Sequence, residues 1–207
     1  MENFLSKIKL IWTDTILRKR VFFVLFALVL FRLLSAIPIP GIDTVELSRF
    51  LTNNQFFGIL NIFSGGGLSN LSIIMLGVGP YITSSIIMQL LTIMVPALKR
   101  IYHEEGEAGR KKFTQYSRLL TVPLAAIQGF SLLAILESQK ILVNLTAFDR
   151  VSNIIIVIAG SMLIMWIGEL MSEFGIGNGV SLLIFAGIVS QIPAEVSQLI
   201  FKFDVSQ

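Results

Sequence analysis

The sequence predicts an all-α, polytopic membrane protein with five transmembrane helices, one of them broken. Three observations carry this. The 207 residues are 54% hydrophobic and 14% charged, with a mean hydropathy of +0.81, whereas a soluble domain carries roughly 25% charge. Several apolar stretches approach the roughly 20 residues a helix needs to cross a bilayer. One of them, SGGGLSNLSIIMLGVGPYITSSIIMQLL at 64–91, opens on three glycines and holds Gly77, Gly79 and Pro80 inside it. Glycine weakens a helix, and proline removes a donor and clashes with the previous turn. In hydrocarbon, irregular backbone is tolerated only where protein or a water-filled cavity satisfies it. The segment reads as a broken helix lining a cavity, which points to transport rather than anchoring.

Along the chain, residues 1–20 form an amphipathic cytosolic helix. Phe4, Leu5, Ile8, Ile11, Trp12 and Ile16 stand at helical spacing with Lys7 and Lys9 between them. It lies on the membrane surface or packs on the rest of the protein, and both readings stand. No cleavable signal peptide is evident. The spans are expected at about 21–37, 71–98, 113–136, 151–172 and 179–200. The first ends at IPIPG, where Pro38 and Pro40 stop the helix and Gly41 turns the chain. The second is longer than a span requires, leaving room for tilt or a break. Pro123 interrupts the third, and the fifth weakens at Pro193. IGNG at 176–179 reads as a tight turn rather than a phosphate cradle, because no Lys-Ser/Thr follows.

Lys and Arg counts set the orientation. Lys7, Lys9, Arg18, Lys19 and Arg20 in the leader join Lys99, Arg100, Arg110, Lys111, Lys112 and Arg118 between spans two and three. The opposite side holds Arg49, Lys140, Arg150 and Lys202. Eleven against four places the N-terminus in the cytoplasm. Arg32, inside span one, is expected to snorkel or to pair with a polar group.

Several chemistries are excluded. The chain has no cysteine and one histidine, His103, so it offers no disulfide, thiol nucleophile or His-based metal site, and no cofactor is expected. HEEGEAG lacks the second histidine of a zinc-protease helix. No span carries an aspartate, which removes an intramembrane aspartyl hydrolase; the chain is not read as an enzyme. The pI of about 9.3 follows from topology, since the basic residues flank apolar segments. Asn70-Leu71-Ser72 and Asn144-Leu145-Thr146 match the glycosylation pattern and carry no functional weight.

Four blocks carry a resemblance: IPIPGID at 37–43, NIFSGGGLSNLSIIMLGVGPYITSSIIMQLL at 61–91, EGEAGRKKFTQYSR at 105–118, and MWIGELMSEFGIGNGVSLLIFAGIVSQIP at 165–193. In order and spacing they resemble the SecY family, the channel subunit of the bacterial protein-conducting translocon. The resemblance implies the first half of a pseudo-symmetric ten-helix channel in the plasma membrane, for secretion across it and insertion into it. It implies SecE and SecG as membrane partners, SecA or the ribosome as the source of drive, and secreted polypeptides with signal sequences as substrates. Two inverted copies replacing the missing half would conflict with the charge bias.

The resemblance also assigns sites. A pore ring would include Val78, Ile82, Val180 and Ile184, four apart within each pair. Narrow aliphatic rings dewet and block ions while offering a sliding chain no specific bond. Aliphatic residues at that spacing are equally ordinary packing or lipid contacts. A short plug helix would occupy about 61–70, with Asn61, Phe63 and Leu68, hinged at Gly65, Gly66 and Gly67. Ser84, Ser85 and Gln89 would line a lateral gate, though helix packing explains them as well. Arg110, Lys111 and Lys112 would dock cytosolic partners, ribosomal RNA included, or simply fix topology. A broken-helix transporter of small solutes or ions is the alternative. Such proteins place ionisable groups near the midplane, and here Glu169, Glu173 and Arg32 lie toward span ends.

Overall fold

Asp14 starts the first helix by accepting hydrogen bonds from the Ile16 and Leu17 amides at 2.8 and 3.4 Å. The computed structural model describes residues 14–40, 47, 61, 64, 66–139, 141–142, 146–190, 192–193 and 196. Among them it contains six helices: α1 (Thr15–Ser35), α2 (Gly79–Met94), α3 (Pro96–His103), α4 (Gly106–Ser138), α5 (Ala147–Phe174) and α6 (Gly179–Val189). Residues 1–13 of the amphipathic leader lie outside the described residues. Its last turn, with Arg18, Lys19 and Arg20, belongs to α1.

The break in the second span falls earlier than its proline suggested. Residues 66–78 form consecutive turns, and helix begins only at Gly79. Pro80 therefore sits in the first turn of α2, where a missing N–H costs nothing. The expected span 71–98 is corrected accordingly: its first eight residues are non-helical, and α2 gives way at Val95 to α3, bent by 110°. The turn segment satisfies its own backbone. Ile39 N–H donates to the Leu71 carbonyl at 2.9 Å and Ile73 N–H to the Ile37 carbonyl at 3.0 Å, flanking an antiparallel bridge between Pro38 and Ser72. Ser72 N–H donates to Gly67 O at 2.7 Å and Gly77 N–H to Ile74 O at 2.8 Å. This pairing lets Leu71, Ser72, Ile74, Met75 and Val78 be buried without helical hydrogen bonds.

α4 and α5 are the central pair. α4 packs against α2, α3 and α5, while α5 also packs against α1 and α6. Thr146 caps α5 in a reciprocal box with Asp149. Asn178 caps α6 by accepting from the Ser181 amide at 3.0 Å, after a turn in which Gly177 has φ +73°. Leu68, Leu71 and Met75 from the turn segment join Leu132, Leu136 and Val157 in one apolar cluster. Ile74 and Val78 join Phe31, Ile164, Met171 and Leu183 in another. The irregular segment is thus held between both halves of the core.

Close backbone approach explains one glycine in α5 and one in α6. A Cβ at Gly160 would overlap the Ile73 carbonyl, so only glycine lets the turn segment cross α5 there. Gly168 faces Gly179, whose Cβ would run into the Gly168 carbonyl, which brings α5 and α6 together.

By length and composition, α4 and α5 can each cross a membrane, and the bent α2–α3 pair would be a third span if counted as one. Of the other two expected spans, α1 has 21 residues but carries Arg18, Lys19, Arg20 and Arg32, and described α6 has 11. Pro123 does not interrupt α4, which runs through it over 33 residues. The charged loop is likewise a helical hairpin: α3 and α4 meet at Gly106, φ +60°, and Arg110, Lys111 and Lys112 stand on the first turns of α4. Arg32 meets its expectation of a polar partner by donating to Ser190 Oγ at 3.3 Å, joining α1 to α6.

Candidate functional site

α2, α4, α5 and α6 surround a cleft of about 710 Å³. Ile82, Ile86, Val180 and Ile184 form its aliphatic wall, and Ser85 and Gln89 extend it along α2. Positions 82, 85, 86 and 89 follow the one-face spacing of a helix, so one side of α2 serves the whole cleft. Tyr81, Arg118, Glu169 and Glu173 supply its polar lining.

A second, mainly apolar cleft of about 570 Å³ lies between the turn segment, α2 and α4. Ser64 and Leu68 line it together with Val78, Ile82, Thr83 and Leu132. Ile82 borders both clefts. Val78, the N-cap residue of α2, is buried on the second-cleft side and is linked to Ile82 by the Ile82 N–H donating to its carbonyl at 3.0 Å. The four aliphatic positions therefore come together around one apolar cluster, in which Ile82, Val180 and Ile184 are partly buried. They do not all share one cleft, because Val78 precedes the helix.

The other assigned residues separate. Ser85 and Gln89 face the first cleft, but Ser84 does not join them. It is fully buried and donates to the Ser117 carbonyl of α4 at 2.5 Å. A position one residue away on a helix is turned by about 100°, which sends Ser84 into the α2–α4 contact. Arg110 and Lys111 line a shallow groove with Gln115 and Arg118, whereas Lys112 is turned to Glu105, 2.9 Å away.

In the segment 61–70, Phe63 and Gly65 lie outside the described residues. Asn61 is helical, and 66–70 are turns. Asn61 organises them: its side-chain oxygen accepts from Ser69 N–H at 2.7 Å and its carbonyl from Gly66 N–H at 2.9 Å. Gly66 has φ +83°, a conformation glycine adopts without strain. Gly67 is crowded by Ser72 and Ser64, and Leu68 is buried.

Sequence reasoning gave Arg118 only a role in topology. In the fold its Nε stands 2.8 Å from Glu169 Oε1, pairing α4 with α5 on the wall of the first cleft. Fifty-one positions separate the two residues, so no local pattern announces the pair. No group of three or more His, Cys, Asp or Glu able to hold a metal ion occurs among the described residues.

Comparison with known proteins agrees with this architecture. A family model described as SecY matches residues 72–207. The protein translocase subunit SecY of Corynebacterium glutamicum is 42% identical over 195 residues, covering 88% of this chain and 44% of that protein. The subunit of the same name from Vibrio cholerae is 42% identical over 189 residues, covering 89% and 42%. The chain thus spans less than half the length of these curated relatives. Among solved structures, one described as a protein conducting channel superposes with a TM-score of 0.57 at 24% identity, covering 84% of this chain and 36% of that one. Sec61 in a canine ribosome-channel complex gives 0.56 with the same identity and coverage. At that identity the structures speak for the fold alone. None of these matches favours a solute transporter.

Proposed function

This chain belongs to the SecY family, and from that premise we propose that it forms the N-terminal half of the central channel subunit through which polypeptides cross, or enter, the bacterial plasma membrane. The observation that carries the proposal is the position of Ile82, between one cleft and a second cleft lined by the turn segment. Two cavities meeting at aliphatic side chains suit a passage that seals without charge. Water in a narrow apolar constriction is costly, and an ion that loses its hydration there finds no compensating ligand.

In this reading Val78, Ile82, Val180 and Ile184 are half of a pore ring completed by a second half of the channel. The segment 61–70 is the plug, with Asn61 fixing its turns and Gly66 allowing the chain to reverse. Ser85 and Gln89 line the lateral gate, while Ser84 anchors α2 to α4. The basic start of α4 faces the cytoplasm, as does the N-terminus, where Arg110 and Lys111 are placed to meet SecA or the ribosome. SecE and SecG complete the membrane assembly.

These 207 residues hold no cysteine, so with a second half made cysteine-free a single introduced thiol reports one position. In the channel completed with its second half, Ile82→Cys is expected to cross-link to a stalled translocating chain bearing one cysteine. Phe185→Cys, on the largely exposed face of α6, is expected not to. Equal cross-linking at both positions would contradict the proposed path.

A further inference from the structure

α4 and α5 enclose a separate cavity of about 140 Å³, lined by Phe130, Ala134 and Glu137 of α4 and by Arg150, Asn153 and Ile154 of α5. On α4 these positions stand about 120° round the helix from Gln128, Ser131 and Ile135, which line the second cleft. Both walls therefore belong to this chain and are turned away from the aliphatic constriction that a second half completes. Asn153 is fully buried, and neither its amide nitrogen nor its oxygen has a hydrogen-bond partner. A buried amide without partners is costly, so the cavity suits an occupant that both donates and accepts. Beside it the Arg150 guanidinium donates to Glu137 Oε1. Each keeps spare capacity, further N–H donors on the guanidinium and a second oxygen on the carboxylate. Asp149, the neighbouring acid, is engaged by Thr146.

Depth narrows the choice of occupant. α5 has 28 residues and is about 42 Å long, which matches a bilayer with its headgroups, roughly 40–45 Å. Asn153 lies about 9 Å from the start of α5, at the boundary between headgroups and acyl chains. Phe130 and Ala134 are exposed there. We propose that this cavity binds the headgroup of a phospholipid carrying a primary ammonium, in the leaflet opposite the basic start of α4. The phosphate meets Arg150 and the Asn153 amide N–H. The ammonium donates to Glu137 and to the Asn153 oxygen, and an acyl chain lies along Phe130, Ala134 and Ile154. A choline headgroup has no N–H to give Asn153 or Glu137. An anionic glycerol headgroup brings its phosphate beside Glu137 with no cation of its own. Selection thus rests on two opposite charges side by side, not on a net charge, and charge-assisted hydrogen bonds to both strengthen it.

Photolabelling of the completed channel complex tests this. It is reconstituted in vesicles of phosphatidylethanolamine, phosphatidylglycerol and phosphatidylcholine in equal parts, with a trace of one of them at a time carrying a diazirine near the glycerol end of its acyl chain. Adducts mapped to Phe130, Ala134 or Ile154 are expected about two- to fivefold more often from the ethanolamine lipid than from either other, the range of a partly exposed ion pair. Glu137→Gln should abolish the advantage over the glycerol lipid. Asn153→Leu should abolish the advantage over the choline lipid without lowering the melting temperature, because it removes an unpartnered buried amide. Equal labelling by the three lipids, or ratios unchanged in Glu137→Gln, would overturn the inference. So would a lowered melting temperature with unchanged ratios in Asn153→Leu, which marks a purely structural side chain. No adduct from any lipid would show the cavity closed to lipid and overturn it as well.

Discussion

Gly160 of α5 lies against the backbone carbonyl of Ile73, with no room for a side chain between them. This contact holds the non-helical turn segment against the middle of α5. Gly160→Ala should therefore lower stability by about 1–3 kcal/mol, the usual cost of overpacking. Gly79→Ala, where a Cβ meets nothing within 4 Å, should change it little. Thermal unfolding in detergent compares the two, and equal effects would contradict the assigned contact.

Ser84 and Ser85 are neighbours with different roles. Ser84→Ala removes a buried hydrogen bond to the Ser117 carbonyl and should cost about 0.5–1.5 kcal/mol. That carbonyl also accepts from Thr121 Oγ1 at 2.8 Å, which keeps the cost in this range. Ser85→Ala should leave the melting temperature nearly unchanged, because its side chain faces the cleft.

The Arg118–Glu169 pair couples α4 to α5 with side chains 43% and 19% exposed. A double-mutant cycle with Arg118→Met and Glu169→Gln should give a coupling of about 0.5–1 kcal/mol, discounted for solvent screening and smaller at high salt. Zero coupling at low salt would show that the pair does not join the helices in solution.

Thr146→Ala removes the side-chain half of the α5 capping box. The expected loss is about 0.5–2 kcal/mol, with local fraying visible as faster amide exchange in the first turn of α5. Unchanged exchange there would show the box to be unimportant.

What the sequence disclosed, and what it withheld, divides by range. Helical class, the IGNG turn and the disturbed second span were legible because glycine, proline and hydropathy act locally. The place of the break was half-legible: Pro80 marks a first helical turn as readily as an interruption. Only the pairing of 71–73 with 37–39, more than thirty positions away, decides between them. Ser84 stayed open between a gate and helix packing because its partner lies on α4, and a helix alone does not say which face meets a neighbour. The basic loop hid a hairpin because its charges resemble a solvated linker, whereas Gly106 supplies the turn that lets α3 and α4 pack.

The central claim is that aliphatic side chains at one constriction hold the membrane ion-tight. Ion conductance of the completed channel in planar bilayers, with Ile82 and Ile184 both replaced by Ser, tests it most directly. The account predicts a closed-state leak well above that of the unaltered channel, abolished by restoring Ile at both positions. A double variant as tight as the original would contradict it.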